Sequence, residues 1–267
     1  MTEPPRPHLV VTPDPVALAQ AGARLWVDSA RSTLAARDVF HVALAGGTTP
    51  ATLHRAVAEQ ADLDYPWHRT HAWFGDERAV PPSDRRSNYR MAVETLFDGV
   101  PLSEAQVHRM RGEEPDLDAA AAAYERELRT TVGEGDGGVP VLDLVWLGLG
   151  TDGHTASLFP GSPALAVSDR AVSAVDGGPA ESPRRLTLTL PVLSAARRVI
   201  FVVSGAAKAE AVAAVLEPPA GAMEGDLPPA ARVQPGPGRL LWLVDEAAAA
   251  RLVRTPRAHA AGFGPGA

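Results

Sequence analysis

The chain has 267 residues and a formal net charge of −7, and it contains no cysteine. The lack of cysteine excludes disulfides, thiolate metal sites and cysteine nucleophiles. The negative charge, with no basic cluster beyond short arginine pairs, argues against nucleic acid as the main partner. Because 45% of the residues are hydrophobic and 21% are charged, we expect an ordinary globular protein, and the length fits one large α/β domain.

The N-terminal sequence and the hydropathy pattern predict a cytoplasmic protein. Residues 1–7 have no apolar stretch of signal-peptide length. No segment approaches the ~18 consecutive apolar residues of a membrane helix, which argues against a membrane partner. We expect a flexible N-terminus over 1–7, a single domain over 8–254, and a disordered tail over 255–267 that has little to bury.

Strand and helix patterns alternate along most of the chain. The predicted strands are apolar runs at 8–11, 39–44, 71–74, 141–147, 171–175, 186–190, 199–203 and 240–244. The predicted helices cover 14–36, 50–57, 87–97, 117–129 and 206–216, with a further helix led by Asp245. The proline- and glycine-rich stretch 217–238 predicts a long surface connection. This alternation predicts an α/β fold in which a mostly parallel sheet has helices on both faces.

A glycine-rich turn joins the second predicted strand to the next helix. From residue 45 to 50 it reads Ala-Gly-Gly-Thr-Thr-Pro. Gly46 and Gly47 let a ligand come close to the backbone, Thr48 adds a hydroxyl, and the helix N-terminus offers free N–H groups to an anion. The pattern lacks the Gly-Lys-Ser/Thr ending of a nucleotide-binding P-loop. It favours a phosphate site, with a tight turn capped by threonine as the structural alternative.

Three charged residues, Asp76, Glu77 and Arg78, follow another predicted strand, and Asn88 comes a short way behind them. Such a group is often a solvated loop with internal ion pairs, and that alternative stays open. The planar fork of Arg78 can hold a phosphate or polarise a carboxyl oxygen. The sequence does not decide between these two roles.

The stretch 148–161 is the most informative in the chain and reads Gly-Leu-Gly-Thr-Asp-Gly-His-Thr-Ala-Ser-Leu-Phe-Pro-Gly. It follows the strand predicted at 141–147, and open α/β sheets bind ligands at the carboxyl ends of their strands. Asp152 stands two residues before His154 in a glycine-rich backbone, a pair suited to acid–base chemistry. The structural alternative is a tight turn followed by a histidine near a helix N-terminus. No third ligand follows nearby, so we expect no metal.

Further cations stand at two predicted strand boundaries. Arg184 and Arg185 lead the strand at 186–190, and either of them can face a ligand. Lys208 falls in the first turn of the helix predicted at 206–216. A lysine there is unfavourable to the helix dipole, which indicates a bound anion. A solvated surface lysine is the alternative.

The motifs at 45–50, 76–81, 87–88 and 148–161 resemble those of 6-phosphogluconolactonases, within the group that also contains glucosamine-6-phosphate deaminases. The similarity spans roughly 8–250, with the elements in the family's order. It implies a Rossmann-like fold similar to the NagB/RpiA/CoA-transferase-like fold. It also implies hydrolysis of 6-phosphoglucono-1,5-lactone to 6-phosphogluconate in the pentose phosphate pathway, with no cofactor and no metal. We expect a monomer or small homo-oligomer whose partner molecule is the sugar-phosphate lactone.

The resemblance also implies roles for particular residues. His154 is the expected general base, Asp152 fixes its tautomer, and Arg78 or backbone N–H groups stabilise the oxyanion. A helix N-terminus close to the imidazole would help to keep the base unprotonated. The expected substrate and phosphate ligands are Gly46, Gly47, Thr48, Asp76, Asn88, Arg185 and Lys208.

Two other functions stay open on the sequence. Glucosamine-6-phosphate deaminases share several of these motifs but typically continue into an Asn-Glu-Pro segment, where this chain has Ser157-Leu158-Phe159-Pro160 and no carboxylate. A non-catalytic sugar-phosphate sensor would be expected to have lost His154 or the charged group at 76–78. Both functions are therefore alternatives to the lactonase.

Overall fold

The computed structural model describes residues 8–60, 65–135, 137–179, 181–236, 239–256 and 258–259. Their strands are β1 His8–Thr12, β2 Phe40–Leu44, β3 Thr70–Phe74, β4 Asp76–Arg78, β5 Leu144–Leu147, β6 Val172–Val175, β7 Arg185–Leu188, β8 Val199–Val203, β9 Leu240–Asp245 and β10 Ala258–His259. Their α-helices are α1 Pro15–Leu34, α2 Thr48–Gln60, α3 Asn88–Thr95, α4 Leu117–Val132, α5 Leu190–Ala195 and α6 Ala209–Leu216. Within this part of the chain, no helix is both long and apolar enough to cross a membrane.

Seven strands form one parallel sheet in the order β10-β1-β9-β8-β5-β2-β3. Each neighbouring pair in it is parallel. The strands β2, β5 and β8 are buried at every position, as expected for a parallel sheet covered by helices. The predicted α/β fold with a mostly parallel sheet and helices is therefore confirmed.

A second, three-stranded antiparallel sheet, in the order β4-β7-β6, is not predicted by the sequence. Its first strand is the charged segment 76–78. Gly75 joins the two sheets, because its N–H donates to the Leu44 carbonyl at 2.9 Å and its carbonyl accepts from the Leu188 N–H at 2.8 Å. The charged residues therefore leave the large sheet and at once enter the small one.

Two predicted strands extend at least two residues beyond the observed ones. The segment 141–147 pairs only in its last part, because the ladder begins where Asp143 exchanges hydrogen bonds with His41, through its backbone and its carboxylate. The strand predicted at 186–190 is observed as β7, which ends at Leu188. Pro191 then lies in the first turn of α5, a position where the missing N–H of proline is tolerated.

The end of the chain also differs from expectation. The helix predicted from Asp245 is not formed: residues 246–251 make turns, and the Asp245 carboxylate caps them by accepting a backbone N–H. In the expected disordered tail, residues 258–259 form β10 and extend the parallel sheet beside β1. The other terminal expectations, for 1–7 and 260–267, lie outside the described residues.

Bulky aromatic side chains fill the core on the parallel sheet. Trp26, Trp73, Trp146 and Trp242 are at most 1% exposed. The ring of Trp242 on β9 stacks on Phe201 of the neighbouring strand β8 at a centroid distance of 4.0 Å. Aromatic burial of this size is a large part of the hydrophobic stabilisation of a domain.

The residue after α6, Glu217, fastens the C-terminal segment. Its carboxylate accepts hydrogen bonds from the backbone N–H groups of Val253, Arg254 and Thr255 at 2.6–3.0 Å. Burial raises the pKa of this carboxyl, but the hydrogen bonds outweigh burial and lower the pKa of Glu217 to about 2. A carboxyl whose pKa is lower in the folded state stabilises the fold above its unfolded pKa, and that contribution is lost as the pH falls through the folded pKa.

We predict that Glu217→Gln lowers the free energy of unfolding by about 1–2 kcal/mol at pH 7, because a neutral amide replaces a charged acceptor of three backbone N–H groups. The difference from the wild type should shrink as the pH falls from about 5 to 2, since the wild-type carboxyl also becomes neutral. Urea unfolding over this pH range measures both effects. Glu246→Gln, at an exposed position, is the control. A loss of stability that does not vary with pH would contradict the assignment.

Candidate active site

Loops after β2, β5 and β8 meet strands β4 and β7 of the small sheet at one edge of the parallel sheet, where open α/β sheets bind ligands. They enclose a cleft of ≈ 220 Å³. Of the predicted site residues, those that line it are Gly46, Gly47, Thr48, Asp76, Arg78, His154, Arg185 and Lys208. The two remaining ones, Asp152 and Asn88, contact residues of this lining instead.

The glycine-rich turn between β2 and α2 forms one wall of the cleft. Gly47 has a φ of +104°, a left-handed conformation that favours glycine. Gly46 lies against Asn88, so closely that an added Cβ would be 1.9 Å from the Asn88 Oδ1. Because α2 begins at Thr48, two residues earlier than predicted, Thr48 and Thr49 both lie in its first turn beside the cleft. Such a helix N-terminus stabilises an anion.

A tight turn after β5 carries His154. The Gly150 N–H donates to the His154 carbonyl at 2.8 Å, and the Gly153 N–H donates to the Gly150 carbonyl at 3.1 Å. The Thr155 hydroxyl donates to the carbonyl of Gly148 at 2.9 Å. A Cβ added to Gly150 would be 2.0 Å from the His154 Nδ1. Glycine at 150 is therefore required for the imidazole to lie where it does.

Asp152 and His154 form a hydrogen-bonded pair. The His154 Nδ1 lies 2.5 Å from the Asp152 Oδ1, and the His154 backbone N–H donates to the same oxygen at 3.1 Å. Burial alone would raise the pKa of Asp152, but the hydrogen bonds and the charge of His154 outweigh it and lower the pKa below its usual value. The ionised carboxylate holds Nδ1 as the donor, which leaves Nε2 as the proton acceptor.

The prediction of a helix N-terminus beside His154 is wrong. The residues that follow form turns, and the next helical segment is the short 3₁₀ helix Pro163–Ala166. Ala156 has a φ of +47°, and the Leu158 N–H donates to the Thr155 carbonyl at 2.9 Å. The backbone therefore reverses direction directly after the histidine, before a helix can start.

The small sheet brings two arginines together. Arg78 on β4 and Arg185 on β7 are cross-strand partners. Arg78 Nη1 donates to the Arg86 carbonyl at 2.5 Å, while Arg185 Nη1 lies 3.8 Å from the Asp76 Oδ2. Burial lowers the pKa of Arg185, and Asp76 partly offsets this. A guanidinium nevertheless stays charged in a protein, so both side chains contribute positive charge to the cleft.

The structure separates the two candidate arginines at the start of β7. The Arg185 side chain is 9% exposed and lines the cleft. The Arg184 side chain is 53% exposed, and its Nε lies 3.5 Å from the Asp176 Oδ1. Successive residues of a strand point to opposite faces, so only Arg185 faces the cleft.

Asp76 is held by residues from two other segments. The Ser157 hydroxyl donates to the Asp76 Oδ2 at 2.6 Å, and the Asn88 Nδ2 donates to the Asp76 Oδ1 at 3.0 Å. Asn88 is 1% exposed, so it orients Asp76 from behind the cleft. Ser157 carries no sequence signal for this role, because only the folded chain brings its hydroxyl to Asp76.

Glu77 is 2% exposed and fixes the start of α3. Its carboxylate accepts from the backbone N–H groups of Arg78, Asn88 and Tyr89, at 2.7–2.8 Å, and from a serine hydroxyl at 2.9 Å. Burial raises the pKa of Glu77, and these hydrogen bonds oppose the shift. The alternative that the charged segment is a solvated loop is therefore wrong.

Lys208 lines the cleft from the segment that follows β8. It ends the 3₁₀ helix Ala206–Lys208 and directly precedes α6. Burial lowers the pKa of Lys208, and Asp152 opposes this shift. The preceding turn is fixed by the Asp245 carboxylate, which accepts from the Gly205 N–H at 3.0 Å and from the Ser204 hydroxyl at 2.6 Å. Lys208 is therefore half-buried and part of the cleft wall.

Phe159 is another site residue that the sequence analysis missed. Its ring centroid lies 4.7 Å from that of His154, and the Arg185 guanidinium carbon lies 5.5 Å from the same centroid. A cation over an aromatic face is attracted to it. Phe159 thus connects the imidazole with a cation of the cleft, although its only sequence signal is its place in the 148–161 motif.

The charges of the cleft favour an anionic ligand. In the part of the lining that the structure describes, Arg78, Arg185 and Lys208 supply three cations, and Asp76 is the carboxylate. Metal chemistry needs a set of ligands that converge on one point. Among the described residues, no group of three His, Cys, Asp or Glu side chains is arranged to hold a metal ion.

Comparison with known proteins agrees with this geometry. The family model for glucosamine-6-phosphate isomerases/6-phosphogluconolactonase matches residues 13–242. The 6-phosphogluconolactonases of Streptomyces coelicolor and Homo sapiens are 40% and 41% identical, covering 93% and 90% of this chain and 96% and 91% of the relatives. The structure of 6-phosphogluconolactonase from Trypanosoma brucei matches with a TM-score of 0.81 and 30% identity, over 93% of this chain and 100% of that one. The chain therefore belongs to the glucosamine-6-phosphate isomerase/6-phosphogluconolactonase family.

Proposed function

We propose that this protein hydrolyses 6-phosphoglucono-1,5-lactone to 6-phosphogluconate, as a cytoplasmic enzyme of the pentose phosphate pathway. The observation that carries the proposal is the Asp152–His154 pair, with 2.5 Å between Oδ1 and Nδ1, at a cleft with three cationic side chains. A base and a phosphate grip are the two parts that hydrolysis of a phosphorylated lactone needs. Relatives of about 40% identity carry the name 6-phosphogluconolactonase.

The phosphate is assigned to the glycine-rich turn and the nearby cations. Gly47 and Thr48 offer backbone N–H groups and a hydroxyl at the α2 N-terminus. Arg185 and Lys208 line the same cleft and supply positive charge. Charge-assisted hydrogen bonds of this kind are short and strong. These groups anchor the phosphorylated end of the sugar and leave the lactone carbonyl beside the turn at 148–158 that carries His154, the catalytic turn.

His154 is assigned as the general base. Its Nδ1 proton is held by Asp152, so Nε2 takes a proton from a water molecule while the water oxygen forms a bond to the lactone carbonyl carbon. The carbonyl π electrons move to oxygen and give a tetrahedral oxyanion. When this intermediate collapses, the bond to the ring oxygen breaks, and the imidazolium returns its proton to that oxygen. A base of this kind contributes ~10²–10⁴ in rate.

Arg78 is assigned to the developing oxyanion. Its Nη1 is fixed by the Arg86 carbonyl and its Nε is buried without a hydrogen-bond partner among the described residues. The guanidinium therefore needs little reorganisation to accept a new negative charge. Donors fixed in advance, in a site that excludes water, stabilise an oxyanion most effectively.

A deaminase that acts on glucosamine 6-phosphate is the main alternative. Members of that group typically carry a carboxylate, in an Asn-Glu-Pro segment, shortly after the corresponding histidine. Here the corresponding residues are Ser157, which is occupied with Asp76, and the buried apolar pair Leu158 and Phe159. The chain therefore lacks the acid that assists opening of the amino-sugar ring.

We predict that the protein accelerates the opening of freshly generated 6-phosphogluconolactone, but not that of unphosphorylated gluconolactone, with EDTA present. A pH-stat assay corrected for spontaneous opening measures both rates. The phosphorylated substrate should be preferred because three cations line the cleft. A rate equal to that of the buffer blank would reject the lactonase, and ammonia release from glucosamine 6-phosphate would then indicate the deaminase.

His154→Asn should lower kcat by about 10²–10⁴-fold while 6-phosphogluconate still binds, because the phosphate grip lies on other segments. Stopped-flow rates give kcat, and calorimetric titration gives the dissociation constant of the product. His68→Asn, at an exposed position, serves as the control. Wild-type kcat in His154→Asn would disprove the role of general base.

The neighbouring arginines provide a matched pair of variants. Arg185→Gln should raise KM for the phosphorylated lactone by about 10–100-fold, since a hydrogen bond to a charged group contributes ~1.5–3 kcal/mol. Arg184→Gln removes the same charge from a side chain that is 53% exposed, and it should leave KM within about 2-fold of the wild type. Equal effects of the two changes would mean that only the net charge matters.

A further inference from the structure

The long connection 217–238 contains a segment that contacts the catalytic turn. The Ala230 N–H donates to the Gly153 carbonyl at 3.0 Å. A Cβ added to Gly153 would lie 2.6 Å from the Pro228 Cβ and 3.4 Å from its Cγ. The connection thus meets the turn through both a hydrogen bond and direct packing. Gly153 lies between the two residues of the proposed acid–base pair.

The part that makes these contacts, residues 228–233, is fixed to the body of the protein. Pro229 and Ala230 are buried in the 3₁₀ helix Pro229–Arg232, and Val233 is 1% exposed. The preceding part of the connection is different, because Met223 is 72% exposed. The 228–233 segment therefore presents a fixed surface to the turn, whereas the residues before it face solvent.

A displacement of Gly153 would also move the His154 imidazole, because short contacts link the two. Gly153 has a φ of +81° and donates to the Gly150 carbonyl. Gly150 in turn donates to the His154 carbonyl and lies against the imidazole. The described residues of this turn belong to no helix or strand, so its position depends on these backbone contacts, on the hydrogen bonds of Thr155 and Ser157, and on the 228–233 segment.

We propose that the 228–233 segment positions the general base: Pro228 and Ala230 fix Gly153, and Gly153 fixes the geometry of Asp152 and His154. Neither Pro228 nor Ala230 lines the cleft, so both are positioning residues that act through the turn. This inference rests on the proposed function for its effect on rate. A misplacement of about 1 Å at a reacting group can cost ~10²-fold in rate.

The test introduces a steric clash between the catalytic turn and the 228–233 segment and then removes the side chain that causes the clash. Gly153→Ala introduces the 2.6 Å collision with Pro228, and Pro228→Gly removes the Cβ and Cγ that cause it. Both single variants and the double variant are compared with the wild type. Gly221→Ala is the matched control, because Gly221 has a φ of +82° and no atom of the described residues lies within 4 Å of an added Cβ. It therefore imposes the same backbone strain without a collision.

The expected result is a loss in kcat without a loss in affinity. Gly153→Ala should lower kcat about 10–100-fold while KM stays within about 2-fold, because the phosphate grip is untouched. Gly153→Ala with Pro228→Gly should recover the kcat of Pro228→Gly alone. Gly221→Ala should keep the wild-type kcat. A KM that rises as much as kcat falls, or a double variant no better than Gly153→Ala, would overturn the proposal.

Hydrogen–deuterium exchange of the peptide that spans residues 148–156 gives a readout that needs no activity. Exchange should be faster in Gly153→Ala and in Pro228→Gly than in the wild type, by about 10-fold for a locally loosened turn. Unchanged exchange in both, with an active wild type, would overturn the positioning role and leave the lactonase intact. Faster exchange with a wild type that does not hydrolyse the lactone would keep the positioning role and reject the proposed function. Pro228→Gly decides the matter if Gly153→Ala fails to fold.

Discussion

The arrangement of the site depends on the hydrogen bonds and the ion pair of the buried Asp76 carboxylate. This carboxylate accepts from the Ser157 hydroxyl and the Asn88 amide, and it lies 3.8 Å from the Arg185 guanidinium. These partners come from the catalytic turn, α3 and β7, so a single side chain joins three segments of distant sequence. An unpaired carboxylate at 6% exposure would cost several kcal/mol. The fold and the cleft therefore form together, because Asp76 is satisfied only when all three segments are in place.

An acidic protein that binds an anionic sugar phosphate must concentrate positive charge locally. The chain carries a formal net charge of −7, yet its cleft holds Arg78, Arg185 and Lys208 beside the N-terminus of α2. At physiological ionic strength, charges are screened over ~8 Å. The cations in the cleft therefore act on a bound phosphate more strongly than the distant surface carboxylates do. The small sheet holds two of these cations, Arg78 and Arg185, opposite each other.

The sequence predicted the parts of the site that are local in the chain. The glycine-rich turn, the Asp152–His154 pair and Lys208 each follow a buried strand, and strand ends meet at one edge of a parallel sheet. The small sheet could not be predicted, because β4 is three residues long and pairs with a strand far along the chain. The role of Ser157 was missed for the same reason. The helix expected after His154 was wrong because Ala156 takes a left-handed conformation that its residue type does not indicate.

The left-handed conformation of Ala156 explains how the turn can place both His154 and Ser157. Ala156 is the one non-glycine residue with a positive φ among the residues that the structure describes, and such a conformation costs about 1–2 kcal/mol. The bend reverses the chain between Thr155 and Leu158, so that Ser157 points inward to Asp76 while His154 stays at the cleft. The strained turn therefore connects the base to the carboxylate that organises the cations, and it needs support from outside because it has no regular structure of its own.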